Sequence, residues 1–183
     1  MMFQLHTPRL SLIPLSNRHL QEWSQSGRKD LEKMLDLQHN PWNMELFYEQ
    51  ETSQALRDYW IPQTAKFPID YFWYTNWEII LKASSCSVGG IGFAGLPDND
   101  GTTEIGYALD QKFRGKGIAT EAVQALSEWA FQDADLRMIR AETPVDNVGS
   151  QRVLEKNCFQ KTGEKTLALE NPMQVFTWER LRY

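Results

Sequence analysis

Cysteine is scarce in this chain. Cys86 and Cys158 are the only two, too few for a disulfide framework, so a reduced, cytoplasmic setting is expected. Long apolar runs are missing: nothing approaches the roughly 18 consecutive residues that would predict a membrane-spanning helix. The opening MMFQLHTPRL carries neither the apolar centre nor the small-residue cleavage site of a secretory leader. Positive charge is in deficit, with 19 Lys and Arg against 24 Asp and Glu, a net charge of −5 and a pI near 5.3. That balance argues against a nucleic-acid partner and suits a cationic one such as an amine. His6, His19 and His39 show no metal-ligand spacing, and no metal is expected. Repeats, low-complexity segments and linkers are also missing, so residues 1–183 read as one domain.

What is present supports a packed core: 42% of the residues are apolar and 23% charged. Seven tryptophans are included, four of them (Trp42, Trp60, Trp73, Trp77) close together in sequence. They read as core packing or as an apolar wall for a ligand. A first strand is expected over Arg9–Leu15, with Pro14 near its end suggesting an edge. Ser16 then caps a short helix, and Arg28–Leu37 forms a second, with Leu31, Met34 and Leu35 on one face. Met44–Gln50 reads as loop, and Glu51–Phe67 as a helix ended or kinked by Pro62. Tyr71–Ala83, rich in aromatic and β-branched residues, predicts a long strand. Ser87–Leu96 and Thr103–Asp110 follow as strands around the turn PDNDG, completing an antiparallel meander. Then come a helix over Gly117–Gln132, a strand over Arg137–Pro144, a helix over Asn147–Asn157 and two closing strands, the last over Met173–Leu181. The class is α+β, with a mixed sheet that is partly parallel toward the C-terminal half.

The segment Lys112-Phe-Arg-Gly-Lys-Gly-Ile-Ala-Thr-Glu-Ala122 stands between a strand and a helix. A helix start offers about four backbone N–H groups with no partner inside the helix. The macrodipole adds partial positive charge, and phosphate is a natural guest. Gly115 and Gly117 remove the side chains that would block its approach, Ala119 keeps the first turn thin, and Arg114 and Lys116 can add charge at the rim. This loop is no P-loop, since GxxxxGK[ST] occurs nowhere. It is no dinucleotide fingerprint either, since GxGxxG would need glycine where Thr120 stands. Without a ligand, the same loop would be a tight strand–helix turn with solvated basic residues.

Arg114-Gly-Lys-Gly-Ile-Ala119 resembles the R-x-x-G-x-G/A loop of the GCN5-related N-acetyltransferases, the GNAT superfamily, in its RimJ/RimL-type branch. Asp146–Phe159, DNVGSQRVLEKNCF, is similar to that branch's N-x-x-S-x-x-V-L-E-K-x-G-F, and LHTPRLSLIPL looks like its first strand. The likeness is dense in the C-terminal half, while about Asp36–Pro68 matches nothing specific. It implies a GNAT-like fold: a mixed, mostly antiparallel twisted sheet with splayed central strands and flanking helices. It further implies that acetyl-CoA binds as cosubstrate. Its pantetheine arm would run along Ile105, Tyr107 and Leu109, and its pyrophosphate would rest on Phe113, Arg114, Gly115, Lys116, Gly117, Ile118, Ala119 and Thr120. Asn147 and Ser150 would complete the cofactor contacts. Two departures stand out. The family's tyrosine acid would fall at Leu154, which has no proton to give, and the block's usual glycine is Cys158, expected as a buried small hydrophobe.

Amide formation from a thioester needs a base to take the amine's proton, donors for the oxyanion, and help for the departing sulfur. Glu104, just before the loop, is the base candidate, unless it is an exposed strand carboxylate in an ion pair. Ser150, one helical turn after Asn147, is the candidate acid or water anchor; Asn147 also reads as a helix cap. Glu121 reads as a first-turn residue complementing the helix dipole. The reading is acetyl transfer to a primary amine by direct attack. The acceptor is the α-amine of a protein N-terminus, such as a ribosomal protein, or else a small amine (polyamine, amino acid or antibiotic). A catalytically silent CoA-binding module is the rival of another class. No nucleic acid or membrane partner is expected, and a homodimer is left open.

Overall fold

A computed structural model describes residues 3–169 and 172–182. Its frame is an eight-stranded sheet in the order β1-β2-β3-β4-β5-β6-β8-β7. The strands are β1 (Leu5–His6), β2 (Leu10–Pro14), β3 (Trp77–Leu81), β4 (Cys86–Phe93), β5 (Thr102–Leu109), β6 (Met138–Pro144), β7 (Gln160–Leu167) and β8 (Met173–Leu181). Every neighbouring pair is antiparallel except β5 and β6. Pro14 fits where it stands: β1 reaches only Ser11 and Leu12, so no strand beyond needs its missing N–H.

The parallel pair decides the shape of the site. β5 and β6 meet only where Thr102, Thr103 and Glu104 face Met138, Ile139 and Arg140. From Ile105 onward β5 stays with β4 as far as Leu109, while β6 stays with β8 as far as Pro144. The sheet therefore parts at its centre. Helix α5 (Ile118–Ala130) makes the crossover between these parallel strands and seats Ile118, Ala122, Val123, Leu126 and Ala130 on the core. Helix α6 (Val148–Lys156) follows β6 and buries Leu154.

Helices α1 (Asn17–Ser26) and α2 (Arg28–Met34) are those expected. Ser16 caps α1, and the ring of His19 closes a capping box by accepting from the Ser16 N–H at 3.1 Å. Three expectations fail. Met44–Gln50 is not all loop, because α3 begins at Leu46 and runs to Ala55. This helix buries no residue; the side it turns inward faces a cleft rather than the core, so it carries no apolar stripe. Pro62 does not end the next helix. A single π turn, Leu56–Trp60, carries the chain into α4 (Ile61–Lys66), and the proline takes a first-turn position. Tyr71–Ala83 is not one long strand: Tyr71–Trp73 is a 3₁₀ turn, and β3 starts at Trp77. The aromatic content there serves core packing, with Trp73 and Trp77 about 5 Å, centroid to centroid, from Trp129 of α5 (5.1 and 5.0 Å). Of the four clustered tryptophans, Trp73 and Trp77 belong to the core, while Trp42 and Trp60 line the cleft.

Candidate active site

The loop before α5 has the backbone that its glycines call for. Gly115 and Gly117 sit at φ +72° and +74°, a left-handed geometry that side chains resist. A Cβ built on Gly115 would project into open space, and one on Gly117 would meet only the Arg9 guanidinium, at 3.4 Å. Gly117 caps α5 without any side-chain bond. Among the described residues, no protein group accepts from the N–H of Gly115, Lys116, Gly117, Ile118, Ala119 or Thr120. A row of bare donors thus faces outward at a helix start, which fits a pyrophosphate.

The basic residues of the loop have other occupations. The Arg114 guanidinium donates to the Leu109 carbonyl at 3.1 and 3.0 Å and grips the Glu45 carboxylate at 2.5 and 2.6 Å. That grip holds the Glu45 carboxyl down to about 2. Lys116 donates to the Lys112 carbonyl at 2.7 Å, and neither it nor Phe113 lines the cleft. Both side chains thus have protein partners, and of the two only Arg114 lines the cleft. Arg9 pins the loop from behind, donating to the Lys116 carbonyl at 2.9 Å and to Glu121 at 2.6 Å. Glu121 does more than complement a dipole, because it also accepts from the Thr7 hydroxyl and the Arg9 N–H. No sequence spacing announces this latch, whose ends lie 112 residues apart.

The parting of the sheet leaves one edge of β5 free. The Glu104 carbonyl accepts from Ala94 N–H, and Asp110 N–H donates to the Val88 carbonyl, so even-numbered residues turn their backbone groups to β4. By the alternation of an antiparallel ladder, Ile105, Tyr107 and Leu109 turn theirs into the gap. The Leu109 carbonyl is already used by Arg114. Side chains alternate as well: Ile105, Tyr107 and Leu109 point to the α5 and α6 side, Glu104 to the other. Ile105, Tyr107, Leu109, Arg114, Gly115, Gly117, Ile118, Ala119, Thr120, Asn147, Ser150 and Glu104 all line one cleft of about 950 Å³.

Asn147 caps α6, accepting from Ser150 N–H at 3.0 Å, while its amide donates to the Tyr48 hydroxyl at 3.1 Å. The Ser150 hydroxyl lies 2.7 Å from that of Tyr107. Burial pushes the Tyr107 hydroxyl far above its ordinary range, a rise that Ser150 partly offsets. Glu104 is an exposed strand residue, as the alternative reading had it, but it is in no ion pair among the described residues. Desolvation by the cleft walls raises its carboxyl above the ordinary value, and nearby Glu142 adds to the rise. Glu142 itself is paired with Lys165.

Opposite the loop, α3 and the π turn close the cleft with Phe47, Tyr48, Glu51, Asp58, Tyr59 and Trp60. Partial desolvation by the cleft lifts the carboxyl of the otherwise exposed Glu51, and burial pushes the Tyr59 hydroxyl up to about 12. Of this wall the sequence offered only Trp60, one of the tryptophans read as an apolar wall for a ligand; the other residues follow no motif, and the π turn that aims Asp58 and Tyr59 leaves no periodic trace.

The family model described as an acetyltransferase (GNAT) domain matches residues 9–160. The chain belongs to the GNAT family. It is 42% identical over 86 residues to YjdG, an uncharacterized N-acetyltransferase of Bacillus subtilis, covering 47% of this chain and 51% of that one. It is 38% identical over 86 residues to the ribosomal-protein-serine acetyltransferase of Escherichia coli, covering 47% and 48%. The matched stretch spans about half the length of these curated relatives. Among solved structures, the ribosomal L7/L12 α-N-protein acetyltransferase RimL in complex with coenzyme A superposes with a TM-score of 0.68 over 98% of both chains, at 21% identity. That likeness concerns the fold, a mixed, mostly antiparallel open sheet. On this GNAT frame the two departures have definite outcomes. Leu154 is fully buried, so no acid stands there. Cys158 keeps the left-handed conformation of the glycine it replaces, at φ +62°, and is exposed rather than buried.

Proposed function

We propose that the protein is an acetyl-CoA-dependent N-acetyltransferase acting on a primary amine. The single observation that carries this reading is the row of unpartnered N–H groups from Gly115 to Thr120, set beside the free edge of β5. Together they offer donors to a diphosphate and a strand-like partner to an amide-bearing arm. In this role Gly115, Gly117, Ile118, Ala119 and Thr120 hold phosphate oxygens, Ile105 and Tyr107 hold the arm, and Asn147 orients α6 toward it.

The chemistry then falls across the gap in the sheet. Glu104, on one side, accepts the proton of the acceptor ammonium, directly or through water, and the freed nitrogen attacks the thioester carbonyl without an acyl-enzyme. Ser150, on the other side, faces the departing sulfur. A carboxylate with a raised proton affinity is a stronger base than an ordinary one. For the acceptor, the wall of α3 and the π turn supplies two carboxylates, Glu51 and Asp58, that are in no ion pair among the described residues, set among aromatic rings. The similarity to a named ribosomal-protein-serine acetyltransferase makes the α-amine of a protein N-terminus the first acceptor to try. The free cysteines fit a reducing compartment, and this reading places the enzyme in the cytoplasm.

Two measurements test it. In thermal melts, acetyl-CoA and CoA should stabilise the protein while NAD and ATP should not. A thiol-release assay with acetyl-CoA over N-terminal peptides and small amines should find turnover with at least one. Stabilisation without turnover on any amine would leave a silent CoA-binding module. Stabilisation by ATP instead would overturn the site assignment.

A further inference from the structure

Ser150 and Tyr107 present two hydroxyl hydrogens and a choice of where they go. The hydroxyls are 2.7 Å apart, and the Tyr107 hydroxyl is also 3.2 Å from the Ser150 carbonyl. If Tyr107 donates to that carbonyl, Ser150 donates to Tyr107, and neither hydrogen remains for the cleft. If Tyr107 donates to Ser150 Oγ, the hydrogen of Ser150 is free to point into the cleft. Both residues line that cleft, and the backbone of Ser150 is fixed by the Asn147 cap. The tyrosine ring is held against the core between β5 and the first turns of α6.

We propose that Tyr107 is a positioning residue: it donates to Ser150 Oγ and so turns the Ser150 O–H toward the departing sulfur of acetyl-CoA. The inference rests on the acetyltransferase reading above, and it supplies what Leu154 cannot. As the carbon–sulfur bond breaks, its electron pair stays on sulfur, and the Ser150 hydrogen bond stabilises the thiolate. Nitrogen gives up two protons, one before attack and one as the tetrahedral intermediate collapses; Glu104 and water pass one of them to the thiolate and release the other to solvent. Tyr107 keeps its own proton throughout, consistent with the burial that makes it so weak an acid.

The test titrates the thiol of CoA bound to the protein, by thiolate absorbance in the ultraviolet against the apo protein, for wild type, Tyr107→Phe, Ser150→Ala and the double variant. The wild-type complex should hold the thiol about one pKa unit below free CoA, and each single variant should lose most of that shift. The double variant should lose no more than the larger single, because the two hydroxyls act as one device. In steady state Tyr107→Phe should lower kcat about tenfold with the acetyl-CoA KM and the melting temperature nearly unchanged. A wild-type thiol titration in Tyr107→Phe, or losses that multiply in the double variant, would overturn the role of Tyr107 while leaving the acetyltransferase reading intact. If wild type bound no CoA, both would fall.

Discussion

The two sides of the cleft are built from different materials. On the α5 side the groups proposed to bind are backbone: six bare N–H groups and a strand edge, with Arg9 and Arg114 pinning the loop. On the α3 side they are side chains, carried on a helix that buries none of its own residues. A backbone site exists as soon as the sheet parts and the glycines turn. A side-chain wall can be rewritten at the surface without disturbing the core. The cofactor side should therefore be intolerant of substitution and indifferent to the acceptor, and the acceptor side the reverse.

The largest effect that would break this contrast is at Gly117. Gly117→Glu puts a side chain and a negative charge where the anion is expected, in a left-handed conformation that itself costs about 1–2 kcal/mol. The variant should fold but lose the rise in melting temperature that CoA gives wild type, with affinity down by roughly a hundredfold or more. Undiminished stabilisation by CoA would mean that the loop does not bind it. Next is Glu104→Gln, which should cut kcat by about a hundredfold while leaving the acetyl-CoA KM within about twofold. The sign of its pH dependence follows from the raised carboxyl: the base is available only above that raised value, so wild-type kcat should climb with pH through it. The glutamine variant should lose that climb; a profile that keeps it would assign the base elsewhere. On the acceptor side, Asp58→Asn should raise the acceptor KM about threefold to tenfold, leave CoA binding alone, and change stability by less than about 0.5 kcal/mol, because Asp58 is exposed and in no ion pair among the described residues. A change in CoA affinity instead would blur the division.

The same contrast explains what was legible in the sequence. Glycine at a left-handed turn leaves a mark, because few other residues tolerate φ near +70°. Hence Gly115, Gly117 and the start of α5 were readable, as were the caps Ser16 and Asn147. The meander of β3, β4 and β5 was readable from its turn residues. The start of β3 was not, because Phe72 and Trp73 are aromatic for the sake of Trp129 and Phe93 rather than for a pleat. Helix α3 was missed at its start for a related reason: a helix facing a cavity has no apolar stripe to show. The Arg9 latch and the grip of Arg114 on Glu45 join residues 69 or more positions apart, which no local pattern encodes.

Glu45 is where the two sides touch, and it supports the smallest prediction. It is the residue that precedes α3, and its carboxylate holds Arg114 of the cofactor loop. Both partners are largely exposed, at 39% and 44%, so the pair contributes little to stability, under about 1 kcal/mol. Its value would be positional, setting the distance between acceptor wall and loop. Glu45→Gln should therefore weaken CoA binding and raise the acceptor KM together, each by about twofold to threefold. Because the Glu45 carboxyl is held down to about 2, the wild-type contribution is complete above the ordinary carboxylate range and fades only as pH falls through that low value. The gap between wild type and Glu45→Gln should accordingly stay constant from about pH 5 to 9. If only one of the two constants moves, the pair serves one side alone; if neither does, loop and wall are held in register by the sheet without it.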